Sequence, residues 1–262
     1  MPAKPDPVLP LLWRHVVEGE ESAVRRGPRQ RLTLDRVVDV AIDLADAEGL
    51  AAVSMRVLAK RLGIAPMSLY TYVANRNDLV VLMVDHVVGR RALPPMGGSL
   101  RERLRLVAQV QLADGREHGW LLDVTGVRPW LGPCVGDRYE WQLSAVEGVG
   151  LDDVEMDQTV TLVVGFAANV ARSEHAVRAA EKESGSTDLE WWEANAGPLG
   201  EFTAHRHYPL AGRVGQAAGE AYQAGTDPGR ELAFGLERII DGIEVHIVGR
   251  GGGSSAGLSR DG

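Results

Sequence analysis

The stretch V-S-M-R-V-L-A-K-R-L-G-I-A-P-M-S-L-Y-T-Y-V, Val53 to Val73, decides how this chain folds. Ser54 is placed to N-cap a short helix over Met55 to Leu62, with Val53 and Leu58 spaced as a hydrophobic staple. Gly63 ends that helix where the chain needs φ > 0. Pro66 opens a second helix at the one position where its missing N–H costs nothing. In that helix Leu69 and Val73, at i and i+4, face the apolar side of the first, and small Ala59 permits close approach. Met67, Ser68, Tyr70 and Thr71 are left on the outer arc. The order Ala59, Gly63, buried Leu69 is the spacing of a helix-turn-helix that reads a major groove, although an ordinary αα-corner shares it.

The flanking residues separate the two readings. Leu69-Tyr70-Thr71-Tyr72-Val73-Ala74-Asn75-Arg76-Asn77-Asp78-Leu79 resembles the "LYxYFxxKxxL" segment of the tetracycline-repressor (TetR-like) family of transcriptional regulators. Leu34 to Leu50 resembles that family's first helix with its closing "xxGL". The resemblance is dense from Leu32 to about Arg91. It implies an all-α fold: a three-helix DNA-binding domain followed by a helical domain for effector binding and dimerisation. It further implies that Arg56 contacts a base or phosphate, that Met67, Ser68, Tyr70 and Thr71 form the reading surface, and that Tyr72 and Arg76 contact phosphates. Pro66-Met67 departs from the family pattern, because neither side chain donates a hydrogen bond to a base edge. Base readout then leans on Arg56 and on apolar contacts to thymine methyls.

A net charge of −8 over 262 residues fits poorly with DNA binding until it is divided. Residues 1–92 hold 13 Lys/Arg against 11 Asp/Glu, and the remainder holds 15 against 25. A local basic patch is enough to meet phosphates, while an acidic remainder limits non-specific association. The single cysteine, Cys134, precludes a disulfide framework within the chain and suits a reducing cytoplasm. No signal peptide is evident, and the longest uncharged stretch, Gln158 to Ala171, is shorter than the roughly 20 residues of a membrane span. The expected location is cytoplasmic, with no membrane partner.

The chain divides into four parts: a flexible N-terminal arm (1–31), the helix-turn-helix domain (32–92), an effector and dimerisation domain (99–248) and a disordered Gly/Ser-rich tail (249–262). Met1 to Pro10, with four prolines, is expected to be disordered or extended. Arg25, Arg26, Arg29 and Arg31 form a basic arm, either a solvated tail or a contact to phosphate and minor groove. Thr33 caps a helix with the apolar stripe Leu34, Val37, Val38, Ala41, Ile42, Ala45. Asn75 with Asp78 starts another, striped by Leu79, Leu82, Met83 and Val87. Leu93 to Gly98 breaks the chain, and Ser99 to Glu102 reads as a capping box for a long helix ending near His118-Gly119. Trp120 to Gly136 reads as short helices and loops, followed by helices from about Asp137 to Gly148 and from Asp152 to about Lys182. Thr187 and Glu190 suit a helix start, Tyr208-Pro209-Leu210 begins another, and the last opens at Pro228 and stops at Gly249.

In the last helix Ala233, Leu236, Ile240, Ile243 and Ile247 step by 3 and 4, a seam for a partner helix or for the helix's own domain. The resemblance favours a dimer built from helix pairs, here from Val160, Val163, Val164 and Ala167 with Leu236, Ile240, Ile243 and Ile247. Looser similarity to the tetracycline-type C-terminal domain lies in His118-Gly119-Trp120-Leu121-Leu122, Gly132-Pro133, Arg206 to Leu210 and Phe234 to Glu244. Five of six tryptophans lie in the acidic half, as core filler or as pocket lining. The candidate effector pocket is His118, Trp120, Trp130 and Trp141. No enzyme motif stands out, neither G-x-S-x-G nor H-E-x-x-H nor a P-loop nor C-x-x-C. No cofactor is expected, and a metal at His205 and His207 rests on spacing alone. The expected function is a homodimeric repressor on a palindromic operator, released by a small molecule. The rival reading is an effector-independent module whose C-terminal half only dimerises.

Overall fold

A computed structural model describes residues 6–21, 32–124, 132–203 and 205–253. Among these residues every regular element is helical. Two short helices, α1 (Val8–Leu12) and α2 (Arg14–Glu21), precede a head made of α3 (Leu34–Glu48), α4 (Met55–Leu62), α5 (Pro66–Leu69) and α6 (Arg76–Arg90). The body follows: α7 (Leu100–Glu117), α8 (Pro133–Leu143), α9 (Asp153–Ser184), α10 (Asp188–Thr203), α11 (Pro209–Tyr222) and α12 (Pro228–Gly253). Single 3-10 turns at Leu50–Ala52 and Gly119–Asp123 adjoin α3 and α7.

Local chemistry sets the helix ends. Side-chain oxygens of Thr33, Ser54 and Asn75 accept from the backbone N–H groups of Arg36, Val57 and Asp78. Ser99 with Glu102 closes a capping box on α7, and Asp152 with Glu155 closes a second on α9. Gly63 lies at φ 68°, ψ 30°, the left-handed region that lets α4 stop and turn. Val37, Val38, Ile42, Leu44, Leu58, Leu69, Leu79 and Met83 fill one head core. Each such side chain contributes roughly 1.5–3 kcal/mol by leaving water.

Several expectations change. Met1 to Pro10 is not wholly extended: α1 starts at Val8, with Val8 and Leu12 buried against the head. Pro10 lies in the first turn, where a missing N–H is harmless, and the Asp6 carboxylate accepts from the Val8 N–H. The expected arm 1–31 is thus interrupted by α1 and α2, while Arg25, Arg26, Arg29 and Arg31 lie outside the described residues. The second helix of the motif is only Pro66–Leu69, and the chain to Val73 continues in turns held by N–H groups of Tyr72 and Val73 on the Leu69 carbonyl. Helix α8 begins at Pro133, not Asp137, because proline suits a first helical turn as well as it suits a break. Helix α12 passes Gly249 and runs to Gly253.

The largest change concerns the seam. Val160, Val163 and Ala167 of α9 are buried together with Leu236, Ile240 and Ile243 of α12, and Val164 and Ile247 pack beside them. This stripe is the body's own core and not a surface for a second subunit. Gly235 serves the same contact, because a Cβ there would lie 2.3 Å from the Phe166 ring of α9. Outside that core, Arg101 and Arg105 of α7 clamp α12 through Glu237, Asp241 and Glu244 at 2.6–2.8 Å.

Candidate DNA interface and effector cavity

Helices α4 and α5 hold their outward residues rigidly because their inward ones are wholly buried. Leu58, Ala59 and Leu69 have no exposure, and Val73 has almost none. Opposite them Arg56, Met67, Ser68, Tyr70 and Thr71 are exposed, Met67 to 76% and Tyr70 to 46%. An exposed Met and Tyr side by side is an apolar surface suited to thymine methyl groups. Arg56 and Lys60, one turn apart on α4, are exposed and form no ion pair among the described residues. Lys60 is absent from the residues singled out in the sequence, although its i, i+4 spacing from Arg56 marks the same face.

Other expected contacts are already engaged. The Thr71 hydroxyl donates to the Ser68 carbonyl at 2.7 Å, which stiffens the turn after α5. Tyr72 is half-buried against the head core. Arg76 donates from Nε to the Val53 carbonyl and from Nη2 to the Leu50 carbonyl, both at 2.7 Å. Those bonds fasten the start of α6 to the turn that precedes α4, so Arg76 positions the motif.

The described residues of the expected pocket, His118, Trp120 and Trp141, are engaged in packing and hydrogen bonds. Trp120 is 2% exposed, and its ring belongs to the core of the head. Its Nε1 donates to Oδ1 of Asp46 on α3 at 2.8 Å, and His118 Nδ1 lies 2.8 Å from the same oxygen. The His118 and Trp120 rings meet edge to face, 6.3 Å between centroids. Trp141 is half-buried and donates to the Pro94 carbonyl at 2.8 Å. Trp130 lies outside the described residues.

A cavity of about 1090 Å³ lies between α10 and α11. Leu189, Trp192, Ala196, Leu199 and Tyr208 give it apolar walls, and Glu193, Arg206, Gln216 and Glu220 give it polar edges. Trp192 rests on Gly219, where a Cβ would lie 2.2 Å from the indole. A Trp among small residues could have flagged this site, but the sequence offers Trp191-Trp192 without showing which one faces inward. No group of three or more His, Cys, Asp or Glu that could hold a metal exists among the described residues.

A second polar network joins body to head at α6. Buried Arg138 of α8 donates to buried Asp114 of α7 at 2.6 Å and to the Val88 carbonyl at 3.2 Å. Arg91, at the end of α6, pairs with Asp114 and with Glu117. Asp85 of α6 accepts from the Val135 N–H at 3.0 Å in the first turn of α8. Burial pushes its carboxyl above the usual range, against those hydrogen bonds. The Cys134 thiol beside it is pushed up to about 11, chiefly by burial and then by the Asp85 charge. None of these pairs is local in sequence, and no motif announces them.

Comparison with known proteins agrees with this arrangement. The model of the family described as "Bacterial regulatory proteins, tetR family" matches residues 37–83, and that of "Tetracyclin repressor-like, C-terminal domain" matches residues 93–247. The HTH-type transcriptional repressor DrrR1 of Streptomyces coeruleorubidus is 38% identical over 232 residues, 88% of this chain and 84% of that protein. Among solved structures, the TetR family protein ActR of Streptomyces coelicolor in complex with (S)-DNPA superposes with a TM-score of 0.63. It is 26% identical and covers 83% of this chain and 100% of its own. ActR in complex with actinorhodin gives a TM-score of 0.61 at 26% identity, covering 83% and 99%. With its helix-turn-helix head and helical body, the chain belongs to the TetR family of transcriptional regulators.

Proposed function

We propose that this chain is a homodimeric repressor that binds an inverted-repeat operator through α4 and α5 and releases it when a small molecule enters its body. The observation that carries the reading is the pairing of a fully buried inner face on these helices with an outer face of Arg56, Lys60, Met67, Ser68 and Tyr70. It acts on DNA in the cytoplasm, and its body regulates rather than catalyses. Its helices support no membrane role, since none described is long and apolar enough to span a bilayer.

The subunit contact belongs on the outer side of α9 and α12, opposite the internal seam. Val154 and Leu162 on α9 and Phe234, Val245 and Val248 on α12 are 51–74% exposed. Residues 234, 245 and 248 fall on one helical face, as do 154 and 165. Exposed Gly165 and Gly242 permit close helix approach there.

The effector reading rests on the α10–α11 cavity, which has the size of a site for a moderately large, partly apolar molecule. ActR, a structural neighbour, is known with actinorhodin, which makes that compound the first probe. Replacing Arg56 with Ala should weaken operator binding by about 1–3 kcal/mol and relax specificity. Unchanged affinity in a folded variant would remove Arg56 from the interface. Ligands that quench the tryptophans without displacing the operator would leave a repressor without this switch.

A further inference from the structure

The body holds the head through two contacts. Helix α6 is gripped by α7 and α8 through Arg91, Asp114, Arg138 and Asp85. Helix α3 is gripped by the turn that ends α7: Trp120 sits in the head core, and one Asp46 oxygen meets both Trp120 Nε1 and His118 Nδ1 at 2.8 Å. Both grips meet at the C-terminal end of α7, with Asp114 and Glu117 toward α6 and His118 and Trp120 toward α3, so a displacement of that end acts on both of these head helices. Those two helices carry the core on which α4 and α5 rest.

We infer that Asp46, with His118 and Trp120, is the coupling joint of this regulator: positioning residues that carry state between the body and the reading helices. Apolar packing alone can slide, whereas a carboxylate with two ring nitrogens on one oxygen fixes both distance and direction. The joint lies directly after α7, so a shift of that helix's end reaches α3 through one contact. This inference rests on the reading of the chain as an operator-binding regulator.

Coupling is reciprocal, so DNA can test it without a known effector. The full-length dimer would be given an operator duplex selected from a random pool, and amide hydrogen exchange would be followed with and without that duplex. In the wild type, operator binding should change exchange about 5-fold or more in residues 110–123, remote from DNA, as well as protecting α4 and α5. In Asp46→Ala and Trp120→Phe the remote change should vanish while the protection of α4 and α5 remains. Asp46→Asn, whose amide oxygen accepts from the same two donors, should restore it. A remote change that persists in Asp46→Ala and Trp120→Phe would overturn the joint, as would a wild type with no remote change. Loss of operator binding in Asp46→Asn would make Asp46 a mere support of the reading head and overturn it equally. Failure of the wild-type dimer to select any duplex would instead refute the operator-binding reading itself.

Discussion

The head and the α10–α11 helix pair show opposite ways of building with helices. Helix α3 alone buries seven residues, all Val, Ala, Ile or Leu. Helix α10 buries none and α11 only Gly219, while Trp191, Leu199, Phe202, Leu210 and Val214 are exposed. A reading head must hold one shape to match a groove, and its own core enforces that shape. The helix pair leaves apolar surface unspent around an open cavity, as a segment completed by another molecule would.

Core truncation should expose this difference most strongly. Leu58→Ala in the head should cost about 2–5 kcal/mol and abolish operator binding, because the site cannot collapse around the void. Leu199→Ala on α10 should change stability by no more than about 0.5 kcal/mol. Thermal unfolding of both variants decides it, and equal losses would mean that the helix pair is as tightly packed as the head.

The two sides of α12 make a second contrast. Ile240→Asp places a charge in the internal core and should unfold the body, whereas Val245→Asp on the exposed side should give a folded monomer. Circular dichroism with light scattering separates the outcomes. A folded Ile240→Asp variant would return the seam to the surface.

That contrast marks the limit of what the sequence made legible. Caps at Thr33, Ser54, Asn75 and Ser99 are local, three residues from the groups they bond, and could be read directly. The apolar stripe of α3 was equally plain, whereas α6 buries Asp78 to Met83 in succession, more than its stripe of Leu79, Leu82, Met83 and Val87 marks. Helix α12 carries two apolar stripes, Leu236 to Ile247 and Phe234 to Val248, and periodicity shows that a face exists without showing what it meets. Trp120 misled for a related reason: its partner Asp46 is 74 residues away, and nothing local distinguishes a joint from a pocket wall.

Acid should loosen the two halves in a set order. Backbone and side-chain bonds from Asp152, His246 and Arg250 hold the Glu155 carboxyl at about 2, hydrogen bonds from Arg105 and Arg101 lower Glu237, and those from Arg101 and Arg238 lower Asp241. A carboxyl lowered in the fold stabilises it above the unfolded value, near 4.5 for Glu, and that support is lost as pH falls through the folded one. In the head and at its edge, burial raises Asp78 and Asp85 instead. Their contribution has the opposite sign: present at low pH and lost as pH rises through the raised value. Asp35 is the head's exception, lowered by Arg14 and His15 against its burial. Between pH 5 and about 3, amide exchange should therefore rise in α12 before it rises in α3 to α6. Earlier loosening of the head would contradict this assignment of charge.

The most direct test of the whole account is selection of duplexes from a random DNA pool by the full-length protein, with the bound stoichiometry measured on the product. A dimeric reader should enrich an inverted repeat with half-sites about 10 bp or a multiple apart, occupied by an even number of chains and weakened steeply by salt. A pool that shows no enriched sequence, or a lone half-site bound by one chain, would contradict it.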